Sequence, residues 1–144
     1  MGIETATAVP RSAVSCTIEA RSHRLIQDKP PESGGADAGM MASELLLAGL
    51  LACQLSTFVK VAAKRRLEVR ATRLTGEMHF EAGDIHRIEL HFDVAGAAEP
   101  GQMETLLRLT DSACTISKVL SVPIRADYRR SETAAAPESS ASST

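Results

Sequence analysis

The chain has no tryptophan, one tyrosine and three phenylalanines in 144 residues, so its core must be built from aliphatic side chains. It also lacks a strong charge of either sign. A net charge of −2 excludes strong attraction to nucleic acid or to an anionic membrane surface. Cysteine is scarce: Cys16, Cys53 and Cys114 are too few and too scattered for a secreted disulfide framework. A cytoplasmic, reducing location follows, where a disulfide that forms is more often catalytic or sensory than structural. The first residues, MGIETATAVPRSAV, contain no apolar run of the kind a signal peptide needs. The most apolar stretch runs for roughly ten residues, too short to span a bilayer.

That stretch opens the feature around which the chain is organised, Met41 to Arg66. Leu45, Leu46, Leu47, Ala48, Leu50, Leu51 and Ala52 make its first half apolar all round, the pattern of a helix buried on every side. Phe58, Val59, Val61 and Ala62 among Lys60, Lys64, Arg65 and Arg66 make the second half amphipathic. Ser43 is the predicted N-cap, with Glu44 in the first turn and Lys64-Arg65-Arg66 in the last, an order that complements the helix dipole. The basic end reads as a solvated helix terminus. Cys53 sits in the buried half, either as a small hydrophobe or as a guarded reagent.

Residues 1–12 show little pattern. Val14, Cys16, Ile18 and Ala20 then alternate with polar residues, the period of a half-buried strand with Cys16 as plain core. His23 to Asp28 reads as a second strand, and residues 29–39, rich in Pro and Gly, as a loop. After the helix, alternation from Leu67 through Met78 and Phe80 predicts a strand, and Glu81-Ala82-Gly83-Asp84 a hairpin turn. Ile88, Leu90, Phe92 and Val94 form the clearest strand. Pro100-Gly101 starts a helix with Met103, Leu106, Leu107 and Leu109 toward the core, and Cys114 is expected to open a further short helix. Pro123 ends it, and Ile124, Ala126 and Tyr128 alternate as a last strand. Residues 1–130 thus read as a single domain, and the Ala-, Ser- and Thr-rich tail, 131–144, as disordered. His86 and His91 fall on opposite faces of one strand, so no metal site is expected from the histidines, and no cofactor.

Strands joined by hairpins, with helices on one side, define an α+β fold with a mostly antiparallel sheet and a long central buried helix. Such a helix needs more cover than one chain of this length offers, which predicts a homodimer.

Two motifs carry a resemblance to a known family. SELLLAGLLAC, ending at Cys53, resembles the signature PxELLLAALAAC, and the segment around Cys114, SACTISKVL, resembles CPVSKxL. Residues 28–31 and 34–39 resemble the DeP…GG…G approach to the helix. On these grounds the chain, from about His23 to Arg129, is similar to the OsmC/Ohr family, the osmotically inducible protein C and organic hydroperoxide resistance proteins. The resemblance implies an intertwined homodimer with active sites at the subunit interface. It also implies thiol-dependent reduction of organic hydroperoxides, with Cys53 attacking the peroxide and Cys114 resolving it. A dithiol such as dihydrolipoyl groups would be the reductant.

A peroxidatic thiol attacks as thiolate and becomes a sulfenic acid that a second thiol converts to a disulfide. Cys53 in mid-helix gains nothing from a helix N-terminus, so its activation needs a partner group. The family uses an Arg from the N-terminal strands, held by a Glu; Arg24 is the first candidate here and Arg21 the second. The family's acidic residue falls where this chain has Ser43, with Glu44 next to it. On a continuous helix, nine positions at ~100° each put Glu44 opposite Cys53. Thr115 stands where the family motif commonly has Pro. Taken as a helix opener, Cys114 would gain from the dipole, so residue physics alone favours Cys114 as the reactive thiol and the resemblance favours Cys53. Two function classes follow: a thiol peroxidase for organic hydroperoxides, and a non-catalytic dimeric module that binds a small apolar ligand or senses redox state.

Overall fold

The computed structural model describes residues 2–131; the predicted disorder of the tail from 132 onward lies outside the described residues. The chain divides into two compact units, Met1–Ala48 and Gly49–Thr144.

The first unit is built on a three-stranded antiparallel meander, β1 (Thr7–Pro10), β2 (Cys16–Ala20) and β3 (His23–Gln27). Arg21, at φ 55°, occupies the corner of the β2–β3 turn. Cys16, expected in a core, is half-buried at the start of β2, with its thiol toward Gln27 Oε1 at 3.5 Å. β3 leads into a loop folded around one carboxylate. Asp28, 2 % exposed, accepts hydrogen bonds from the N–H groups of Lys29 (2.8 Å), Ala36 (3.1 Å) and Ala38 (3.1 Å). Its carboxyl is held below the usual range, first by the Ala38 amide and then by that of Lys29, against the opposing effect of burial. Two glycines let the loop close. A Cβ at Gly35 would lie 1.9 Å from the Lys29 carbonyl oxygen, and one at Gly39 1.9 Å from that of Ile26.

The helix α1 (Ala42–Lys64) starts one residue before Ser43, which therefore lies inside it and is not the cap. Glu44 instead reaches back to accept the Met41 N–H at 2.9 Å, the glutamate half of a capping box. Burial along α1 is a single stripe of Leu50, Gln54, Phe58 and Ala62. The expected burial of its first half on every side is not met within this chain: Leu46 is 39 % exposed. By length and composition α1 would also pass for a membrane span, contrary to the sequence expectation. Its buried Gln54 donates a tertiary hydrogen bond to Ser117 at 2.7 Å, which ties the helix to the rest of the second unit.

In the second unit, β4 (Val69–Glu81) and β5 (Asp84–Gly96) form a long hairpin. Ala82 and Gly83, both at positive φ (51° and 88°), make the two-residue turn that matches strand twist. β6 (Ile124–Arg130) then pairs with β5 in parallel, so a crossover must carry the chain back. That crossover contains α2 (Pro100–Ala113), which starts with Pro100 behind a capping box of Glu99 and Gln102. Met103, Leu106, Leu107 and Thr110 bury one face of α2 at helical spacing; Leu109 is only half-buried. Ile88, Leu90, Phe92 and Val94 give β5 its core face, and Phe92 stacks on Phe58 of α1 with ring centroids 5.2 Å apart. Among the described residues the fold is thus α+β, with two helices and two small sheets of mostly antiparallel strands.

Candidate active site

Cys53 and Cys114 both belong to the second unit. Cys53 lies on α1, half-buried, beside the fully buried Gln54. Cys114 is fully buried. It does not open a helix: α2 runs through Ala113, and Cys114 caps its C-terminus with φ −72° and ψ 116°. Its N–H donates to the carbonyls of Thr110 (2.9 Å) and Asp111 (3.3 Å). The expectation that a helix N-terminus activates Cys114 is therefore overturned, because the residue stands at the opposite, partially negative end.

The groups that act most strongly on Cys53 are uncharged. Burial pushes its thiol up, but hydrogen bonds from the Cys114 side chain, the Ile116 amide, the Thr57 hydroxyl and the Thr115 amide outweigh it. The net result is a Cys53 thiol below its ordinary value. Thr57 sits one helical turn beyond Cys53, while Thr115 and Ile116 belong to the loop that follows α2. That loop ends in a single 3-10 turn, Ser117–Val119. It is anchored to α1 by Gln54, whose Nε2 donates to Ser117 Oγ at 2.7 Å and lies 3.5 Å from Asp111 Oδ1.

The other predicted residues belong to the first unit. Arg24 is exposed, and its Nε and Nη2 both donate to Glu19 Oε1, at 2.8 and 2.6 Å. Arg21 occupies the β2–β3 turn, and Glu44 is engaged with the Met41 N–H.

The sequence reading missed a charged ladder on the polar face of the β4–β6 sheet. Strand register puts Glu77 opposite Glu89 and His91 opposite Asp127. Ligand atoms of Glu77, His79 and Glu89 lie within 4.8 Å of one another, a set that could hold a cation. Arg87 already supplies positive charge there, with Nε 3.2 Å from Glu89 and Nη2 3.1 Å from His79 Nδ1. Because a guanidinium only donates, a neutral His79 carries its proton on Nε2, facing the two carboxylates. Next to it, His91 is raised by its 2.7 Å hydrogen bond to Asp127, with smaller contributions from the charges of Asp127, Glu77 and Glu89. Alternation along each strand puts Glu77 with His79 and Arg87 with Glu89 and His91, and only cross-strand register shows that these two sets face one another.

An apolar groove of about 630 Å³ lies along Val61, Lys64, Arg65, Leu109, Ser112 and Ala113. It stops one residue short of Cys114, and neither cysteine lines it.

Comparison with known proteins agrees with this architecture. Residues 34–129 match the family described as OsmC-like protein, a span that contains both cysteines. No curated protein sequence matches the chain. Among solved structures, an OsmC-like protein of unknown function from Vibrio cholerae is similar at a TM-score of 0.73 and 18 % identity, over 90 % of this chain and 100 % of that one. An organic hydroperoxide resistance protein OsmC from Legionella pneumophila is similar at 0.66 and 19 %, over 91 % and 98 %. The organic hydroperoxide resistance protein OhrB of Bacillus subtilis is similar at 0.66 and 17 %, over 89 % and 98 %. At these identities the structures speak for the fold, and the match across residues 34–129 speaks for the family: the chain belongs to the OsmC-like proteins.

Proposed function

We propose that the protein is a thiol-dependent peroxidase that reduces organic hydroperoxides through Cys53 and Cys114. The observation that carries this reading is that both Cys53 and Cys114 lie within the matched span, residues 34–129, with Cys114 among the groups that hold the Cys53 thiol below its ordinary value. The Cys53 thiolate attacks the distal peroxide oxygen and the O–O bond breaks. The alkoxide leaves with a proton as an alcohol, and Cys53 becomes a sulfenic acid. The Cys114 thiolate then attacks the Cys53 sulfur; water leaves and a disulfide joins the two residues. An external dithiol, such as a dihydrolipoyl group, returns both to thiols by exchange and is itself oxidised to a disulfide. Names of relatives support the substrate class, since two similar structures are organic hydroperoxide resistance proteins.

The same reading includes a homodimer in a reducing cytoplasm. Exposure of Leu46, Val59 and Val119 favours a second copy as cover. A monomer in sedimentation equilibrium at micromolar concentration would remove that part. Arg24 and Glu44 enter as the family's activating pair, although each has a local partner in Glu19 and in the Met41 N–H. The test of the whole is consumption of cumene hydroperoxide by the reduced protein with dihydrolipoamide. Turnover abolished by Cys53→Ser, and a Cys53–Cys114 disulfide in the mass spectrum, are expected. No turnover, with both thiols left reduced, would overturn the reading.

A further inference from the structure

We propose that Gln54 and Ser117 are positioning residues for Cys114: their hydrogen bond holds the buried Cys114 thiol where it closes on an oxidised Cys53. The pair thereby sets whether the Cys53 sulfur ends as a disulfide or is oxidised further. This role rests on the proposed reading that Cys53 attacks and Cys114 resolves.

Cys114 is 0 % exposed, whereas Cys53 on α1 is half-buried. A fully buried thiol meets no peroxide from solvent, so the sulfur it can react with is one carried by the chain. The polar groups of Cys114 are all engaged. Its N–H donates to the Thr110 and Asp111 carbonyls at 2.9 and 3.3 Å, and its carbonyl accepts the Lys118 N–H at 3.2 Å. Its Sγ accepts the Ser117 N–H at 3.5 Å. That contact sets the direction of the sulfur, and it comes from the residue that α1 holds.

Gln54 follows Cys53 directly and is the polar member of a stripe otherwise made of Leu50, Phe58 and Ala62. It is 1 % exposed, and a buried amide is costly unless it is hydrogen-bonded. Its Nε2 donates to Ser117 Oγ at 2.7 Å and lies 3.5 Å from Asp111 Oδ1. One side chain of α1 thus reaches the chain on both sides of Cys114, in the last turn of α2 and in the 3-10 turn Ser117–Val119. A leucine would fill the stripe without the desolvation cost. What the amide adds is a fixed placement of the Cys114 segment against α1.

Two fates compete for an oxidised Cys53. In one, the Cys114 thiolate attacks the Cys53 sulfenic sulfur, water leaves and a disulfide forms. In the other, the Cys53 sulfenate attacks a second hydroperoxide, the O–O bond breaks, an alcohol leaves and a sulfinic acid remains. The ratio of the two products is independent of how fast the sulfenic acid formed. It therefore reads the placement of Cys114 apart from the reactivity of Cys53.

The measurement is that ratio, by site-resolved mass spectrometry on the full-length reduced protein treated with excess cumene hydroperoxide and no reductant. Gln54→Leu is expected to raise sulfinic acid over disulfide at Cys53 about threefold to tenfold, the range that one lost hydrogen bond spans. Ser117→Ala should do the same, and Ser117→Thr, which keeps a hydroxyl, should return the ratio toward wild type. This pair decides the matter if Gln54→Leu does not fold. Gly39→Ala, whose added Cβ meets Ile26 and Gln27, controls for lost stability and should leave the ratio unchanged. A second arm replaces the peroxide by oxidised glutathione. Cys53 takes one glutathionyl group as a mixed disulfide and releases glutathione; Cys114 then closes the pair by displacing the other. The same variants should retain more glutathione on Cys53. Wild-type ratios in Gln54→Leu and Ser117→Ala would overturn the proposal, as would an equal shift in Ser117→Thr or Gly39→Ala. An unmoved ratio in an active peroxidase sinks only this role, and a moved glutathione ratio in a protein inert to peroxide sinks only the peroxidase.

Discussion

The loop that leads into α1 and the loop that follows α2 use one device for different ends. In the first, three backbone amides converge on the Asp28 carboxylate at 2.8–3.1 Å. In the second, hydrogen bonding by Cys114, Ile116, Thr57 and Thr115 holds the Cys53 thiol below its ordinary value against the opposing effect of burial. The Asp28 carboxyl, held below the usual carboxylate range, is ionised at neutral pH, so the amides around it serve chiefly to fix the backbone that carries them. A thiol is mostly neutral there, so the same donors shift its protonation and hence its reactivity. One arrangement therefore serves architecture, and the other, on the proposed reading, chemistry.

Removing the acceptor should break the comparison most sharply. Asp28→Ala leaves the Lys29, Ala36 and Ala38 amides without their partner, and the largest fall in melting temperature of any single change considered is expected from it, by calorimetry at neutral pH. Because the Asp28 carboxyl is depressed in the folded chain, its contribution is complete above the unfolded value near 3.9 and is lost as pH falls through the lower folded value. Wild type and variant should therefore converge in stability at strongly acid pH. Next comes Gly39→Ala, whose Cβ meets the Ile26 carbonyl; overpacking of this kind costs about 1–3 kcal/mol, measurable by urea denaturation.

Gln54→Leu tests the other loop. It strands the Ser117 hydroxyl, a cost of about 1–3 kcal/mol in the same denaturation, and should slow peroxide consumption beyond what lost stability explains. The smallest effect is expected on the β4–β6 sheet. The folded value of His91 is raised by Asp127, so that pair stabilises fully below the unfolded value near 6.5 and its contribution fades as pH rises through the folded value. His91→Asn should lower the melting temperature slightly at pH 6, less at pH 9, and leave the two loops untouched.

How far the sequence disclosed these loops follows from what kind of signal each residue sends. β5 was legible because one face is buried and the other is not, which writes a period of two into the chain. β1 sent no such signal: all four of its residues are exposed and one is Pro10. The helix was plain but its start was not, since Glu44 closes a capping box on Met41 with no Ser or Thr at the cap. Cys114 was misplaced by a single structural fact, the continuation of α2 to Ala113, which turns a presumed helix opening into a helix end. The two cysteines were found through resemblance, whereas Thr115 and Ile116 act through backbone groups that every non-proline residue possesses. Composition cannot announce such donors.

The separation of Cys53 and Cys114 along the chain has one more consequence. A bond between them would close a covalent ring of roughly 60 residues, and in the chain-entropy account a ring of that size restricts the unfolded ensemble by about 4 kcal/mol. The second half of α1, all of β4 and β5 and all of α2 would lie inside it; β6 would lie outside, held by its ladder to β5 and by Arg130, which donates to the Gly96 and Ala98 carbonyls. On the proposed chemistry, each turnover would thus tighten and release a knot in the denatured chain. A pool of the protein starved of reductant should melt later than one kept supplied.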